Sequence, residues 1–334
     1  PGCVGAMPLR GVALALLGCA ALGQRAPLSL LQWNPHWQCV VWNSRNCTEE
    51  AGKALVATLE GEDVDFANLI EYADPAGILP ENWTNIRNAG LCGRDSLDLI
   101  YNSARWTPVI GMWPSRGCMQ VIPADRPYLI MEFVGEQDLG HVVVVAAHFP
   151  HPRSYWDRTM DELFELRKGL RDFLNGTSTR RVIIIADTNE FSHTSNYDIM
   201  EYLKVPEGPI VGTALRATCC YDNDFAGWTT FDRIIANFGA VMETTVLFDP
   251  VPDWGKEAKN GTKGAFHKGV HAWFYLDGGA APVPMKRVHV WILSAVILLV
   301  ALVGAGILGR EALRRGRPTA YAARGDDVSE SDVS

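Results

Sequence analysis

Short runs of apolar, often β-branched residues recur along the first 280 residues, and each run is bounded by turn-forming residues. Runs of this length and composition predict β-strands. The predicted strands are Leu28–Trp33, Phe66–Ile70, 97–101, 128–134, 142–147, 182–186 and 231–236.

Two longer segments between these runs carry apolar residues at helical spacing. The segment 49–59 places Ala51, Leu55 and Leu59 on one face, and the segment 157–174 does the same with Met160, Leu163, Leu166, Leu170 and Phe173. Apolar stripes with charged residues between them are typical of amphipathic helices. Strands mixed with helices predict a layered α/β fold. Residues 25–280 contain no repeat and no linker-like stretch, so we expect one domain there.

The N-terminal segment differs from the rest in its pattern. Met7 is followed by Arg10, by an apolar run over residues 11–22, and by the small residues Ala21 and Gly23. A basic start, a short apolar run and a small-residue exit are typical of a secretory signal peptide, which we place at residues 1–23.

A second apolar segment predicts a membrane anchor. Residues 288–308 carry no charge over a length that spans the hydrocarbon core of a bilayer. Arg310, Arg314, Arg315 and Arg317 follow directly, which predicts a cytoplasmic tail at residues 309–334. The sequence therefore predicts a single-pass type I membrane protein of the secretory pathway or cell surface, with its N-terminal domain in the lumen or outside the cell.

Glycosylation motifs and cysteines agree with that topology. Asn46, Asn82, Asn175 and Asn260 each begin an Asn-x-Thr motif, and all four precede the predicted span. Six cysteines lie outside the signal peptide, which suggests disulfide bonds in an oxidising compartment. Six cysteines allow 15 pairings, and all of them stay open from the sequence. The net charge of −8 argues against a protein that coats nucleic acid through a basic surface.

Polar residues with chemical potential recur where predicted strands end. Each has an ordinary explanation, because strands often end in Asn or Asp at turns. Their order along the chain is what distinguishes them. The residues are Asn34, Glu71, His148, Asp187, Asn189, Asp232 within the segment 231–236, and His271.

In this order the residues resemble the endonuclease/exonuclease/phosphatase superfamily, which has the deoxyribonuclease I-like fold. The segment Phe231-Asp232-Arg233-Ile234-Ile235 is close to the form found in secreted deoxyribonucleases, and the Asp187-Thr188-Asn189 and Glu71 motifs add to the match. The resemblance covers essentially the whole of residues 25–280. It implies a four-layer αββα sandwich of two mixed sheets with helices outside them, plus the C-terminal transmembrane helix predicted above.

The resemblance also implies a role for each residue in the cleavage of a phosphate ester. Glu71, with Asn34 beside it, would hold Mg²⁺, Mn²⁺ or Ca²⁺, since these ions prefer oxygen ligands. Asp187 would orient or deprotonate the attacking water, and Asn189 would fix the phosphate. His148 and His271 would stabilise the phosphoryl oxygens in the transition state.

Each of these histidines would be oriented by a carboxylate. The resemblance implies Asp95 as the partner of His148, and Asp232 as the partner of His271. The expected substrates are nucleic acid, a phospholipid headgroup or a soluble phosphate ester, and the sequence leaves the oligomeric state open.

One departure from the family pattern sets up an alternative. The family usually ends in Ser-Asp-His, whereas the stretch read as its match is Gly269-Val270-His271. The acid missing at Val270 is normally a metal ligand. A catalytically silent domain that binds a ligand or partner is therefore the second hypothesis, beside an active metal-dependent hydrolase.

Overall fold

Two β-sheets stack face to face, and helices cover the outer face of each sheet. The computed structural model describes residues 27–35, 45–110, 112–120, 125–136, 139–152, 160–219, 229–256 and 266–276. All of them belong to one compact unit within Pro1–Ala281.

The bounds of the elements are as follows. The strands are β1 (Leu28–Trp33), β2 (Phe66–Ile70), β3 (Trp83–Ala89), β4 (Ser96–Asn102), β5 (Trp106–Pro108), β6 (Ser115–Met119), β7 (Arg126–Gly135), β8 (Gly140–His148), β9 (Val182–Asp187), β10 (Val211–Gly212), β11 (Asp232–Ala236), β12 (Ala240–Val246) and β13 (Val270–Tyr275). The helices are α1 (Arg45–Gly61), α2 (Phe164–Leu174), α3 (Asn196–Leu203) and α4 (Asp253–Lys256), with 3₁₀ turns at Pro75–Gly77 and Met160–Leu163.

The strands form two mixed sheets. Sheet 1 has the order β12-β13-β1-β2-β4-β3, and sheet 2 has the order β10-β11-β9-β8-β7-β5, with β6 also paired to β7. Within these sheets, β1 is parallel to β2 and β8 is parallel to β9. The central strands β8 and β9 read as continuous apolar runs because both of their faces are covered.

Three apolar clusters bind the layers together. The cluster between the sheets includes Leu30 of β1, Val144 of β8 and Ile185 of β9. A second cluster packs α2, through Leu166 and Leu170, onto the outer face of sheet 2. A third packs α1 onto the outer face of sheet 1, where Leu55 and Leu59 meet Leu31 and Trp33. The expected four-layer αββα sandwich is therefore confirmed.

All seven predicted strands are present: two have the predicted bounds, four are one to three residues longer, and β11 begins one residue later than predicted. The sequence reading missed β3, β5, β6, β10, β12 and β13. Most of these are short or lie at a sheet edge, where one exposed side removes the apolar signal. The helix predicted from residue 157 begins at Phe164, after the 3₁₀ turn at Met160–Leu163.

The segments on which the predicted membrane topology depends are not among the described residues. The predicted signal peptide (1–23), span (288–308) and tail (309–334) lie outside the described residues. Among the helices that are described, none combines the length and apolar character needed to cross a bilayer.

One disulfide joins Cys92, in the loop before β4, to Cys118 in β6. Cys47 and Cys219 are disulfide-bonded as well. The expectation of disulfides is thus met, and the Cys92–Cys118 bond leaves three of the 15 possible pairings.

Candidate active site

The parallel strand pairs direct their carboxyl ends to the same end of the sandwich, which is called the site end below. Asn34 and Glu71 follow β1 and β2 there, while His148 and Asp187 are the last residues of β8 and β9 and lie opposite each other in register. The two sheets are in contact at this end, where Asn34 Nδ2, after β1 of sheet 1, donates to Asp187 Oδ2, in β9 of sheet 2, at 3.0 Å.

Eight side chains converge at the site end and are referred to as the polar cluster. They are Asn34, Glu71, Asp95, His148, Asp187, Asn189, Asp232 and His267. Most of them are almost fully buried, with 8% or less of the residue exposed for Glu71, His148, Asp187 and His267. Seven of the eight site residues predicted from sequence are among them.

His148 is held between carboxylates. Its Nδ1 lies 2.9 Å from Asp95 Oδ2 and 4.0 Å from Glu71 Oε1, and its Nε2 lies 3.6 Å from Asp187 Oδ2. Burial and the neighbouring Arg126 guanidinium lower the pKa of His148 to about 3. The ring is therefore neutral at pH 7, and its contact with Asp95 favours a proton on Nδ1.

Arg126 places a positive charge inside the cluster, which the sequence reading did not anticipate. Its Nη1 donates to Asp95 Oδ2 at 2.9 Å and to Glu71 Oε1 at 3.1 Å. Arg126 is the first residue of β7, next to the end of β8, so the antiparallel pairing of these strands delivers it to His148. Glu71, the predicted metal ligand, is thus already paired with a cation of this chain.

His267 forms the second histidine–carboxylate pair. Its Nδ1 lies 2.9 Å from Asp232 Oδ2 and 3.5 Å from Asp187 Oδ2. Burial acts to lower the pKa of His267, but the carboxylates of Asp232 and Asp187 outweigh burial and raise it to about 9. The two histidines of the cluster therefore differ in charge at pH 7: His148 is neutral and His267 is an imidazolium.

Two buried side-chain amides, those of Gln32 and Asn68, hold the Asp232 carboxylate through a series of hydrogen bonds. Gln32 Nε2 donates to Asp232 Oδ1 at 3.1 Å, and Asn68 Nδ2 donates to Gln32 Oε1 at 2.7 Å. Asn68 Nδ2 also donates to the carbonyl of Ile185, at 2.9 Å, in the other sheet. These hydrogen bonds cross the core between the sheets and fix the carboxylate that faces His267.

The prediction that His271 pairs with Asp232 is wrong. In β13 the residues Val270, Ala272 and Phe274 face the core between the sheets, so the alternation of a strand turns His271 to the opposite face. There its Nε2 lies 2.8 Å from Ser29 Oγ, and its Nδ1 lies 3.9 Å from Glu62 Oε2. Burial lowers the pKa of His271 to about 4, so it is a neutral, buried residue outside the polar cluster.

The position that differs from the Ser-Asp-His pattern of the family changes as well. Since His267 is the partner of Asp232, the residue that precedes the histidine is Phe266 and not Val270. Phe266 is 3% exposed and packs edge-on against Trp254 and Trp33, with ring centroids 5.4 and 6.3 Å apart. Val270 lies in the core between the sheets. An aromatic side chain therefore stands at the position where the resemblance implies an acid.

Two cluster residues have left-handed backbone conformations. Glu71 has φ 55° and Asn189 has φ 50°. Such conformations are uncommon for residues other than glycine and persist where the surrounding structure enforces them. For Asn189 the enforcing contacts are its backbone N–H to Asp187 Oδ1 at 3.0 Å and its Nδ2 to the Phe149 carbonyl at 2.7 Å.

The loop that follows Asn189 is fastened by Arg233, which is 1% exposed. Its guanidinium donates to the carbonyls of Thr194 at 2.7 Å, Phe191 at 2.9 Å and Thr230 at 2.8 Å. Arg233 follows Asp232 in β11, so one short segment holds both His267 and this loop in place.

Four functional residues escaped the sequence reading, and three of them left a signal. Gln32 and Asn68 are polar residues inside apolar strands, and Arg126 is a charge beside an apolar run. His267 follows no predicted strand, and no pattern in the sequence distinguishes it.

Two groups within the cluster have the composition of a metal site. The ligand atoms of Glu71, Asp95 and His148 lie within 4.8 Å of one another, and so do those of Asp187, Asp232 and His267. In the second group a ring nitrogen of His267 already contacts both carboxylates. The carboxylate oxygens of Glu71 and Asp95 suit a hard divalent ion, so the donor chemistry of the first group fits the predicted metal, in competition with Arg126.

The four-layer sandwich of two mixed sheets is the fold of solved endonuclease/exonuclease/phosphatase proteins. Solved structures with this fold include TDP2 of D. rerio with a single-strand DNA product, at 13% identity over 75% of this chain and 99% of that chain, with a TM-score of 0.55. A mannosyl-6-phosphatase of Bacteroides thetaiotaomicron matches at 14% identity over 74% of this chain and 99% of that one, also at 0.55.

A further protein of Bacteroides thetaiotaomicron, described as an endonuclease/exonuclease/phosphatase family protein, matches at 14% identity over 76% of this chain and all of its own, with a TM-score of 0.54. No family model and no curated protein matches the sequence. At these identities the comparisons show the fold and leave the activity to the site itself.

Proposed function

We propose that this protein is a divalent-metal-dependent hydrolase of phosphate esters. The observation that carries the proposal is the convergence of eight polar side chains, drawn from both sheets, on one end of the molecule. Two histidines are each held at 2.9 Å by a carboxylate of their own, Asp95 and Asp232. Two histidines oriented by carboxylates beside a buried aspartate, here Asp187, are typical of a catalytic site.

Glu71 and Asn34 are the proposed ligands of Mg²⁺, Mn²⁺ or Ca²⁺. A bound divalent ion would offset the negative charge of the phosphate and so favour attack on phosphorus. Asn34 donates its amide nitrogen to Asp187, and its side-chain oxygen is of the donor type that such an ion prefers.

The residues of the chain supply the remaining functions. The His267 imidazolium donates toward Asp232 through Nδ1, so its Nε2–H would stabilise a phosphoryl oxygen as charge develops there. Neutral His148 would bind a second phosphoryl oxygen or take up a proton. Asp187, within reach of both rings, would orient and deprotonate water, and Asn189 would hold the phosphate.

The alternative is a catalytically silent domain that binds a ligand or partner. Two observations favour it: Phe266 replaces the family acid, and Arg126 occupies Glu71. Both reduce the negative charge available to an ion. The substrate classes expected from the sequence stay open, namely nucleic acid, a phospholipid headgroup and a soluble phosphate ester.

One set of assays separates these possibilities. The purified full chain is incubated with Mg²⁺, Mn²⁺ or Ca²⁺ and a simple phosphodiester, a phosphomonoester or duplex DNA. We expect turnover that is abolished by a chelator and that requires less metal in the Phe266→Asp variant, because a second carboxylate offsets dehydration of the ion. A wild type inert under all nine conditions, with a Phe266→Asp variant that turns over, would establish the silent domain instead.

We further propose that the domain faces the lumen or the cell exterior on a type I membrane anchor. The predicted signal peptide, the apolar segment 288–308 and the four glycosylation motifs support this topology. The Asn82 and Asn175 side chains are exposed, as an acceptor asparagine must be.

A further inference from the structure

A second concave site lies on the helical face of sheet 2, away from the polar cluster. It is a pocket of about 350 Å³ between one side of α2, the segment before β9 and the segment after α3. Asn237, just beyond the end of β11 that is remote from Asp232, contacts its walls. The pocket is lined by five cationic residues: Arg167, Lys168, Arg171, Arg180 and Lys204.

The charge of this pocket is opposite to that of the whole chain. The lining includes no carboxylate among the described residues, although the chain carries a net charge of −8. Arg171 is paired with Asp172 and Lys204 with Glu201. Neither Arg167, Lys168 nor Arg180 has a carboxylate partner in the described part of the chain. Three positive charges therefore remain for a ligand.

The pocket is also fixed in shape by a buried side chain. Asn237, 4% exposed, donates through Nδ2 to the carbonyls of Arg180 at 2.8 Å and Pro206 at 3.0 Å. It thereby joins the segment before β9 to the segment after α3. Arg180 Nη1 donates to the Leu174 carbonyl at 2.7 Å, so this guanidinium is held in place before a ligand arrives.

Stabilisation of the α2 dipole does not account for all of these charges. Cations stabilise the C-terminal turn of a helix and are unfavourable near its N-terminus. Arg171 and Arg180 fit that role, but Arg167 and Lys168 lie in the first half of α2, which begins at Phe164. Those two cations gain nothing from the dipole.

The apolar part of the lining narrows the class of ligand. Phe164 is 45% exposed, with the Arg167 guanidinium 5.8 Å from its ring centroid, and the side chains of Leu174 and Pro206 contribute to the same surface. We propose that the pocket binds a sugar ring that carries several phosphate or sulfate groups. The anionic groups pair with the cations, while the C–H face of the ring packs on Phe164. A pocket of this volume holds one or two rings and excludes a nucleic-acid duplex.

The test compares a double variant of the pocket with a control double variant that removes the same number of charges elsewhere. Binding of inositol hexakisphosphate, of a sulfated heparin-derived disaccharide and of inorganic phosphate is measured by calorimetry on the purified full chain in mild detergent with a chelator. The pocket variant is Arg167→Gln with Lys168→Gln, and the control is Lys53→Gln with Arg116→Gln, which removes the same charge from other exposed positions. Both are made with Asn175→Gln, so that a glycan at this lining residue cannot fill the pocket.

We expect at least one of the two substituted rings to bind about tenfold more tightly than inorganic phosphate, and the pocket variant to lose about tenfold, which corresponds to 1.4 kcal/mol. The control should change less than twofold. The phosphorylated and sulfated probes identify which group is preferred. Equal losses in both variants would show a general charge effect and overturn the proposal. So would tighter binding of duplex DNA or anionic vesicles, or binding that neither variant changes.

Discussion

The two histidines of the C-terminal segment show how a single residue decides the chemistry of the site. His267 contacts Asp232 and Asp187, whereas His271, four residues on, contacts Ser29. Both are buried, and both are preceded by an apolar residue. They differ in position: His267 lies in the segment before β13, next to Asp232, whereas His271 lies within β13 on the face opposite the core between the sheets.

Replacing these histidines one at a time should therefore give opposite results. His267→Ala should reduce turnover by about 100- to 10,000-fold, because it removes a charged donor from the reacting phosphate. His271→Ala should lower the free energy of unfolding and leave the turnover of folded protein within about threefold, since it opens a buried contact elsewhere. The measurements are steady-state rates with the folded fraction determined by circular dichroism. Equal loss of turnover in both variants would contradict the assignment.

The elevated pKa of His267 makes a second prediction at this scale. A group whose pKa is about 9 in the folded state and about 6.5 in the unfolded state stabilises the fold fully below pH 6.5. That stabilisation is lost as the pH rises through 9. The melting temperature in the presence of a chelator should therefore fall between pH 6.5 and 9, and the fall should be smaller in His267→Gln. A His271→Gln variant is the control and should keep the wild-type slope.

At the scale of the elements, the sequence predicted the strands whose two faces are both buried. Most of the strands that it missed are short or lie at a sheet edge. The strands β1, β2, β8 and β9 are apolar runs, and they were found with nearly correct bounds. The strand β3 reads Trp-Thr-Asn-Ile-Arg-Asn-Ala at the edge of sheet 1 and gives no comparable signal. Pairing partners, and hence the position of Arg126 beside His148, depend on sheet order, which no local pattern contains.

The loop held by Arg233 gives a testable consequence for an element that carries site residues. Arg233→Met keeps the volume but leaves several buried carbonyls without a donor, so the free energy of unfolding should fall by about 3 kcal/mol or more. Asn189 lies directly before this loop, so the Michaelis constant should also rise. Urea unfolding and initial rates check both effects. The exposed substitution Arg94→Met serves as the control and should alter neither.

At the scale of the whole molecule, the proposed topology predicts which asparagines carry glycans. Asn82 and Asn175 are exposed at the surface of the folded domain. Protein made in a glycosylating host should migrate faster after treatment with an N-glycosidase, and Asn82→Gln and Asn175→Gln should each remove one step of that shift. Asn85→Gln, which alters no acceptor motif, is the control. Unchanged mobility of the wild type would refute the glycosylation and weaken the proposed location.

The pairing of β1 with β13 determines where another protein or a surface can be attached to the domain without covering the polar cluster. Leu28 and Phe274 are partners in this pair, and both lie at the end of sheet 1 remote from Asn34 and Gln32. The first and last described strands thus start and finish as neighbours, on the side away from the polar cluster. A surface or fusion protein attached at either terminus of the domain would leave the site end open to large substrates. A short peptide could also join the two termini, so that the chain could be reopened at a surface turn and keep the same arrangement of strands.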